Sequence, residues 1–255
     1  MFAWDLRQFL RNQIRSMLNL FGFDVFKIDS AELFNFSNIL FLLLNEEGHI
    51  RYLQIGANDG VLADPMYGFV CKHQNQVTGL LIEPIEFYFQ KLQRNYSKFP
   101  GITALRIAIH NFEISMTMYV PRKSSSRRHN KDVAGLSSFN KLHLLKHENL
   151  VETDIVEEQV KCCSVEELLE EHSFMDINLL IVDTEGYDFQ ILDKLNLNQI
   201  QPKVIRFEHG MAAGTMTANQ LNSLCEKFNK FGYQMIIDNN DAIAVQTVFV
   251  MNSVD

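Results

Sequence analysis

Residues 52–60 read Tyr-Leu-Gln-Ile-Gly-Ala-Asn-Asp-Gly (YLQIGANDG), a short apolar run that breaks into a turn bracketed by Gly56 and Gly60. A brief apolar stretch ending at glycine describes a buried strand entering a tight turn. Glycine supplies the left-handed backbone that such turns need. A strand that opens through a glycine turn toward a helix is a place where backbone N–H groups meet a nucleotide-like ligand. The identity of that ligand depends on what else the turn carries.

Outward from this turn, short apolar strands are expected at residues 50–55, 80–82, 103–109, 179–182 and 204–207. Between them, residues 64–73, 85–96, 165–172, 189–195 and 218–231 have helical spacing. Asp64-Pro65 reads as a helix start, a capping carboxylate with proline at the first helical position. Alternating strands and helices imply a mostly parallel, doubly wound sheet with helices on both faces. The strand 233–237 and the strand from Ala242 are joined by about four residues, whereas a parallel crossover needs about a dozen. They therefore form an antiparallel hairpin. An α/β sheet ending in such a hairpin is the Rossmann-like arrangement of class I methyltransferases.

Three segments lie outside that core. A helical extension is expected over residues 1–48, in two amphipathic pieces broken near residues 22–30, with the sheet domain over 49–255. In the first piece Leu6, Phe9, Leu10, Ile14, Met17, Leu18 and Phe21 share one face, with Arg7, Arg11 and Arg15 on another. This is a capping helix, or a weak membrane-surface helix. A basic insertion at about 121–140, containing Arg122, Lys123, Arg127, Arg128 and Lys131, is either a solvated loop or a lid favouring an anionic acceptor.

The composition bounds the function. The 255 residues carry 23 Lys and Arg against 31 Asp and Glu, a formal charge of −8, which argues against nucleic acid as a partner. The run 39–44 is far short of the roughly 20 apolar residues that span a bilayer. Cys71, Cys162, Cys163 and Cys225 have no CxxC spacing and read as reduced thiols, consistent with the cytoplasm.

The turn itself departs from the dinucleotide pattern GxGxxG: Asn58 stands at the middle glycine and the third is missing. Asp59 adds a negative charge within the turn and Asp64 adds another just beyond. Two carboxylates repel a pyrophosphate. They suit S-adenosyl-L-methionine, which has an ammonium and a sulfonium and no phosphate. Leu80-Leu81-Ile82-Glu83-Pro84 then ends in an acid able to take two ribose hydroxyls, or to cap the following helix. Small Ala108 leaves room for an adenine ring. After the next strands come Val182-Asp183-Thr184-Glu185-Gly186-Tyr187-Asp188 and Arg206-Phe207-Glu208-His209-Gly210. His209 is the first candidate for a general base and Asp183 the second. Glu185 either approaches the cofactor or caps a helix. Asp183, Glu185, Glu208 and His209 offer oxygen-rich ligation, but no tight motif demands a metal and none is assigned.

With YLQIGANDG, LLIEP, LLIVDTEGYDFQIL and VIRFEHG in view, the chain resembles the FkbM family of S-adenosylmethionine-dependent methyltransferases from about Tyr52 to Phe249. The resemblance implies a class I methyltransferase fold and O-methylation of a hydroxyl on a sugar, glycan or secondary metabolite. It implies that Gly56, Asn58, Asp59, Gly60 and Glu83 line the cofactor, with Asp183 and Glu185 nearby; Ala57, Pro84 and Ala108 are read with them as cofactor-binding. Thr184 and Asp188 depart from the family pattern. Two rival readings are a non-catalytic scaffold retaining the fold and an NAD-dependent oxidoreductase.

Overall fold

The structure, a computed structural model, describes residues 35–122, 136–146, 150–211, 214–238 and 240–247. The chain divides into two compact units, residues 1–39 and 40–255. The first amphipathic helix and most of the basic insertion lie outside the described residues. The second N-terminal piece is helix α1 (Phe36–Glu47). Its Leu40, Leu43 and Leu44 are buried and Phe41 packs edge-on against Phe69, so the 40–255 unit begins within this helix, upstream of the expected residue 49.

After α1 the elements run β1 (Ile50–Ile55), α2 (Tyr67–His73), β2 (Val77–Ile82), α3 (Glu86–Tyr96), β3 (Ile102–Leu105) and β4 (Ala108–Ile109). There follow β5 (Ser115–Pro121), α4 (Lys141–Leu144), β6 (Ile155–Cys163), α5 (Val165–Glu171), β7 (Leu179–Val182) and α6 (Asp188–Lys194). β8 (Val204–Glu208), α7 (Ala218–Lys230), β9 (Tyr233–Ile237) and β10 (Asp241–Gln246) complete the described chain.

Seven strands form one sheet in the order β3-β2-β1-β7-β8-β10-β9. All neighbours are parallel except β10, which runs antiparallel to both β8 and β9. The expected hairpin is present, and its returning strand inserts between β8 and β9. The chain moves outward from β1 through β2 to β3, then returns to place β7 on the other side of β1. The strand order thus reverses between β1 and β7, the switch point where open α/β sheets bind ligands.

Alternation along the strands divides the core. Leu53, Ile55, Leu80, Ile82, Leu180, Val182, Ile205 and Phe207 pack with buried residues of α5, α6 and α7, including Leu168, Leu169, Ile191, Leu192, Leu224 and Phe228. On the opposite face Tyr52, Leu81 and Ile181 are also fully buried. Tyr52 sits across from Gly79, where a Cβ would come within 2.2 Å of its ring. Strands buried on both faces account for the continuous apolar run 179–182. Helices α5 and α7 open with capping boxes, Ser164 with Glu167 and Thr217 with Gln220, which satisfy N–H groups that the first turn leaves unpaired.

Two local expectations are corrected. The strand expected over 103–109 breaks at Arg106 and Ile107. Arg106 turns outward to pair with Glu86 at 2.6 Å and Glu158 at 3.0 Å. Beyond the break β4 leaves the main sheet for a three-stranded sheet, β4-β6-β5. Pro65 is not the first helical residue: α2 starts at Tyr67, and Asp64 Oδ1 accepts the backbone N–H groups of Met66 and Tyr67 at 2.8 and 2.6 Å.

Candidate active site

A cavity opens at the switch point. Its walls are the ends of three parallel strands: Gln54 to Asn58 after β1, Ile82 to Pro84 after β2, and Asp183 to Glu185 after β7. Leu62, Ala63, Asp64 and Pro65 line it from the loop before α2, and Ala108, Ile109 and Met118 from the smaller sheet. Ser137, Phe139 and Tyr187 complete the lining.

The glycine turn works by close approach. Gly56 has φ +82, and a Cβ there would lie 1.7 Å from the carbonyl oxygen of Asp183. Only glycine lets the β1 turn sit against the end of β7, where Asp183 N–H donates to the Ile55 carbonyl at 2.9 Å. The N–H groups of Gly56 and Ala57 both donate to the Ile82 carbonyl, at 3.0 and 2.9 Å. Asn58 takes the left-handed conformation that asparagine tolerates better than most residues, φ +49. Gly60 has a different role: a Cβ there would strike Leu92 and Tyr96 of α3, so it packs the turn onto that helix and is not on the cavity wall.

The negative floor expected of the turn exists, but Asp59 does not supply it. Its Oδ1 accepts the N–H groups of Val61 and Leu62 at 3.0 and 2.8 Å, and it does not line the cavity. The lining carboxylates are Asp64, Glu83, Asp183 and Glu185. Glu83, 4% exposed, bridges the first two strand ends: one oxygen accepts from Asn58 N–H and the other from Ile85 N–H, each at 2.9 Å. It therefore caps the approach to α3 as well as lining the cavity. Burial pushes its carboxyl up to about 7, against the pull of those two hydrogen bonds. Asp64 is also raised by burial. Its Oδ2 accepts from Gln54 Nε2 at 2.8 Å. Gln54 is 3% exposed, and its Oε1 has no hydrogen-bond partner among the described residues.

The segment after β7 concentrates further acid. Burial raises Asp183, and Arg206 partly offsets this. Glu185 has φ +52, followed by Gly186 at +106, so the chain bends sharply at the cavity wall. Burial first, then Asp183, Glu208 and Asp188, push Glu185 up to about 8. Glu185 does not cap α6. Asp188, 1% exposed, accepts from Thr184 Oγ1 at 2.8 Å, so the two residues that depart from the family pattern are hydrogen-bonded partners. Asp188 is pushed up to about 7, by burial and then Asp183, and its Oδ1 has no hydrogen-bond partner among the described residues. Glu208 is likewise raised to about 7, by burial and then Asp183. Among the described residues no group of three or more His, Cys, Asp and Glu side chains has the geometry to hold a metal.

His209 is not where a general base must be. It is 1% exposed, away from the cavity lining, with Nε2 2.9 Å from the Asp238 carbonyl. Its Nδ1 accepts the Met211 N–H at 3.3 Å. Those contacts have Nε2 donating and Nδ1 accepting, with both ring nitrogens committed to backbone. The residue ties the end of β8 to the β9–β10 connection. Asp183, the second candidate, does line the cavity.

Several lining residues were not anticipated. Gln54 had a signal, a polar residue inside the otherwise apolar 52–55 strand. Ser137 and Phe139 belong to the insertion, read only as a solvated loop or a lid. Ser138 exchanges backbone hydrogen bonds with Tyr119, and its Oγ donates to the Glu185 carbonyl at 3.0 Å. Phe139 meets Tyr187 edge-on, and Tyr187 stacks on His110, both at 5.2 Å between centroids. The insertion thereby forms one wall of the cavity.

Solved structures are similar to this chain at low sequence identity. The methyltransferase domain of METTL16 is 13% identical, covering 90% of this chain and 76% of that one, with a TM-score of 0.44. The human methyltransferase 10 domain containing protein is 11% identical, covering 96% and 98%, with a TM-score of 0.42. Precorrin-6y C5,15-methyltransferase from Geobacter metallireducens is 10% identical, covering 86% and 92%, with a TM-score of 0.41. No curated protein matches the sequence. The model of the methyltransferase FkbM domain matches residues 54–235, the span from Gln54 on the cavity wall to Met235 in β9, and the chain therefore belongs to the FkbM methyltransferase family.

Proposed function

We propose that this chain is an S-adenosyl-L-methionine-dependent O-methyltransferase acting in the cytoplasm on a hydroxyl group of a small molecule or glycan. The observation that carries the reading is the sign of the cavity. Asp64, Glu83, Asp183 and Glu185 line it, and no Lys, Arg or His is among its described lining residues. A diphosphate there would meet like charge wherever these acids are ionised and drive them further toward their protonated forms, while a sulfonium and an ammonium favour the ionised forms.

The residues present fit such a donor. Gln54 Oε1 is a buried acceptor awaiting an N–H group, which an ammonium supplies. Each Glu83 oxygen accepts one backbone N–H and retains a second lone pair for a ribose hydroxyl. Ala57 and Ala108 keep the wall low. When bound, S-adenosylmethionine supplies an activated methyl group. The chain's own work is then mostly positioning, which alone is worth several orders of magnitude in rate. Asp183 accepts no hydrogen bond at its carboxylate among the described residues, and it takes the proton of the attacking hydroxyl. Met118, Phe139 and Tyr187 exclude water from that side. No helix among the described residues is long and apolar enough to cross a membrane.

The test is calorimetric titration with S-adenosylhomocysteine and with NAD in parallel. Binding of the first and silence of the second supports the reading; binding of NAD overturns it, and binding of neither favours the scaffold. Incubation with methyl-tritiated donor and a panel of nucleotide sugars then locates the label, and label on nitrogen or carbon would rule out O-methylation.

A further inference from the structure

We propose that Glu185 is the residue by which the site distinguishes a charged methyl donor from its neutral product, being ionised opposite a sulfonium and protonated opposite a thioether. This rests on the function proposed above. Three features of the cavity lead to it.

First, the lining carboxylates differ in their commitments. Glu83 and Asp64 are held by backbone N–H groups, and Asp183 is drawn by Arg206. Glu185 accepts no hydrogen bond at its carboxylate among the described residues, although it lines the cavity. Its charge state is therefore governed by whatever charge sits opposite.

Second, its neighbours make an uncompensated charge there costly. Asp183 at the end of β7, Glu208 at the end of β8 and Asp188 on α6 all push Glu185 toward its protonated form. Arg206, the nearby cation, is itself paired with Asp241 at 2.7 Å. On the remaining side the His143 ring of α4 lies against Gly186, 3.6 Å from where a Cβ would sit. With the carboxyl raised to about 8, Glu185 holds its proton near neutrality until a cation arrives.

Third, the backbone that carries the group is held in place. Its backbone is left-handed, its carbonyl accepts from Ser138 Oγ, and Ser138 is paired to Tyr119 in both directions. The carboxylate therefore springs from a fixed point on the cavity wall.

The proton balance is simple. Arrival of the sulfonium at a protonated Glu185 releases one proton to solvent. When the methyl leaves, the C–S electron pair stays on sulfur, the positive charge is gone, and Glu185 takes a proton back. The product then sits before a neutral wall and loses the attraction that held the donor.

The test needs no acceptor. Titrations with S-adenosylmethionine and S-adenosylhomocysteine at pH 7, in phosphate and in Tris, give the protons exchanged from the difference in heats. Release of about one proton with the donor and about none with the product is expected from a group near 8. The ratio of donor to product affinity should rise about tenfold between pH 7 and pH 9, because the proton to be displaced is then already gone. Glu185→Gln should abolish both effects while binding S-adenosylhomocysteine within about threefold of wild type. If both ligands bind wild type with equal proton exchange and a ratio that ignores pH, the role of Glu185 is refuted and the methyltransferase reading survives. If neither binds, both fall. The wild-type measurements decide the matter even if the variant does not fold.

Discussion

Replacement of Gly56 by alanine tests whether the site depends on the close approach of two strand ends. Two costs are involved, and a second glycine separates them. At Gly48 φ is +69 and nothing lies within 4 Å of a would-be Cβ, so Gly48→Ala pays for the left-handed backbone alone, about 1–2 kcal/mol. At Gly56 φ is +82, and the new methyl would meet the Asp183 carbonyl oxygen at 1.7 Å. To restore the 3.4 Å of ordinary contact, the β7 end must retreat by about the difference, 1.7 Å. That movement breaks the Asp183-to-Ile55 hydrogen bond, about 1 kcal/mol. It also forces repacking of the kind that costs about 1–3 kcal/mol. Gly56→Ala should thus lose about 3–6 kcal/mol in all, summing those contributions. Gain of unfolded-chain order on replacing glycine is common to both variants and cancels in the comparison. Urea unfolding followed by far-ultraviolet circular dichroism gives the stabilities, and calorimetry with S-adenosylhomocysteine gives the binding. Gly48→Ala should bind normally and Gly56→Ala should not. Equal destabilisation of the two variants, with binding intact in both, would refute the close-approach account.

Other expectations follow from the buried polar groups. Glu83 and Asp188 are raised to about 7 from ordinary values of 4.5 and 3.8, so the native protein holds protons that the unfolded chain would lose. Stability of the ligand-free protein should be greatest in mild acid, fall between about pH 4 and 8, where Glu185 is the last of these acids to ionise, and level off above. Each group contributes a slope of up to about 1.4 kcal/mol per pH unit, and Asp188→Asn should make the profile shallower; a profile rising through this range would contradict it. His209→Ala should cost about 1–3 kcal/mol of stability through its lost backbone ties, with turnover per folded molecule little changed. A loss of turnover without loss of stability would return His209 to the mechanism. Lys227 Nζ lies 2.8 Å from the carbonyls of Leu192, Asp193 and Leu195 at the end of α6. Lys227→Met should cost about 2–3 kcal/mol, the scale of charged hydrogen bonds, and a loss under 0.5 kcal/mol in urea unfolding would show that water replaces it.

Much of the fold was legible because its signals are local. Buried parallel strands announce themselves as short apolar runs, and a four-residue connection admits no crossover, so the hairpin followed from chain length alone. Insertion of β10 between β8 and β9 was not legible, because either edge order satisfies the same connection. The break at Arg106 was hidden for a similar reason: only the partners Glu86 and Glu158, one of them 52 residues away, show where the chain turns outward. At the site, Gly56, Asn58, Glu83 and Asp183 were legible by position at strand ends. Asp59 and His209 misled because position says nothing of direction. A short carboxylate in a turn can reach backbone N–H groups two and three residues on, and that local contact decides its orientation. His209 lies one residue past the end of β8, and the connection that claims its ring becomes adjacent only when the hairpin forms. Glu185 and Thr184–Asp188 depended on burial and on one another, which spacing does not reveal.

The inserted position of β10 also sets an order of assembly. During synthesis β9 leaves the ribosome before β10, yet it joins the sheet only through β10. Until residue 246 has emerged, β8 presents an open, apolar edge, the kind of surface that recruits stray strands. A hairpin closes in about 1–10 μs, whereas ribosomes add about 5–20 residues per second. The nascent chain therefore waits on translation for its final strand, and stalling between residues 208 and 246 is the point at which aggregation or chaperone capture would be greatest.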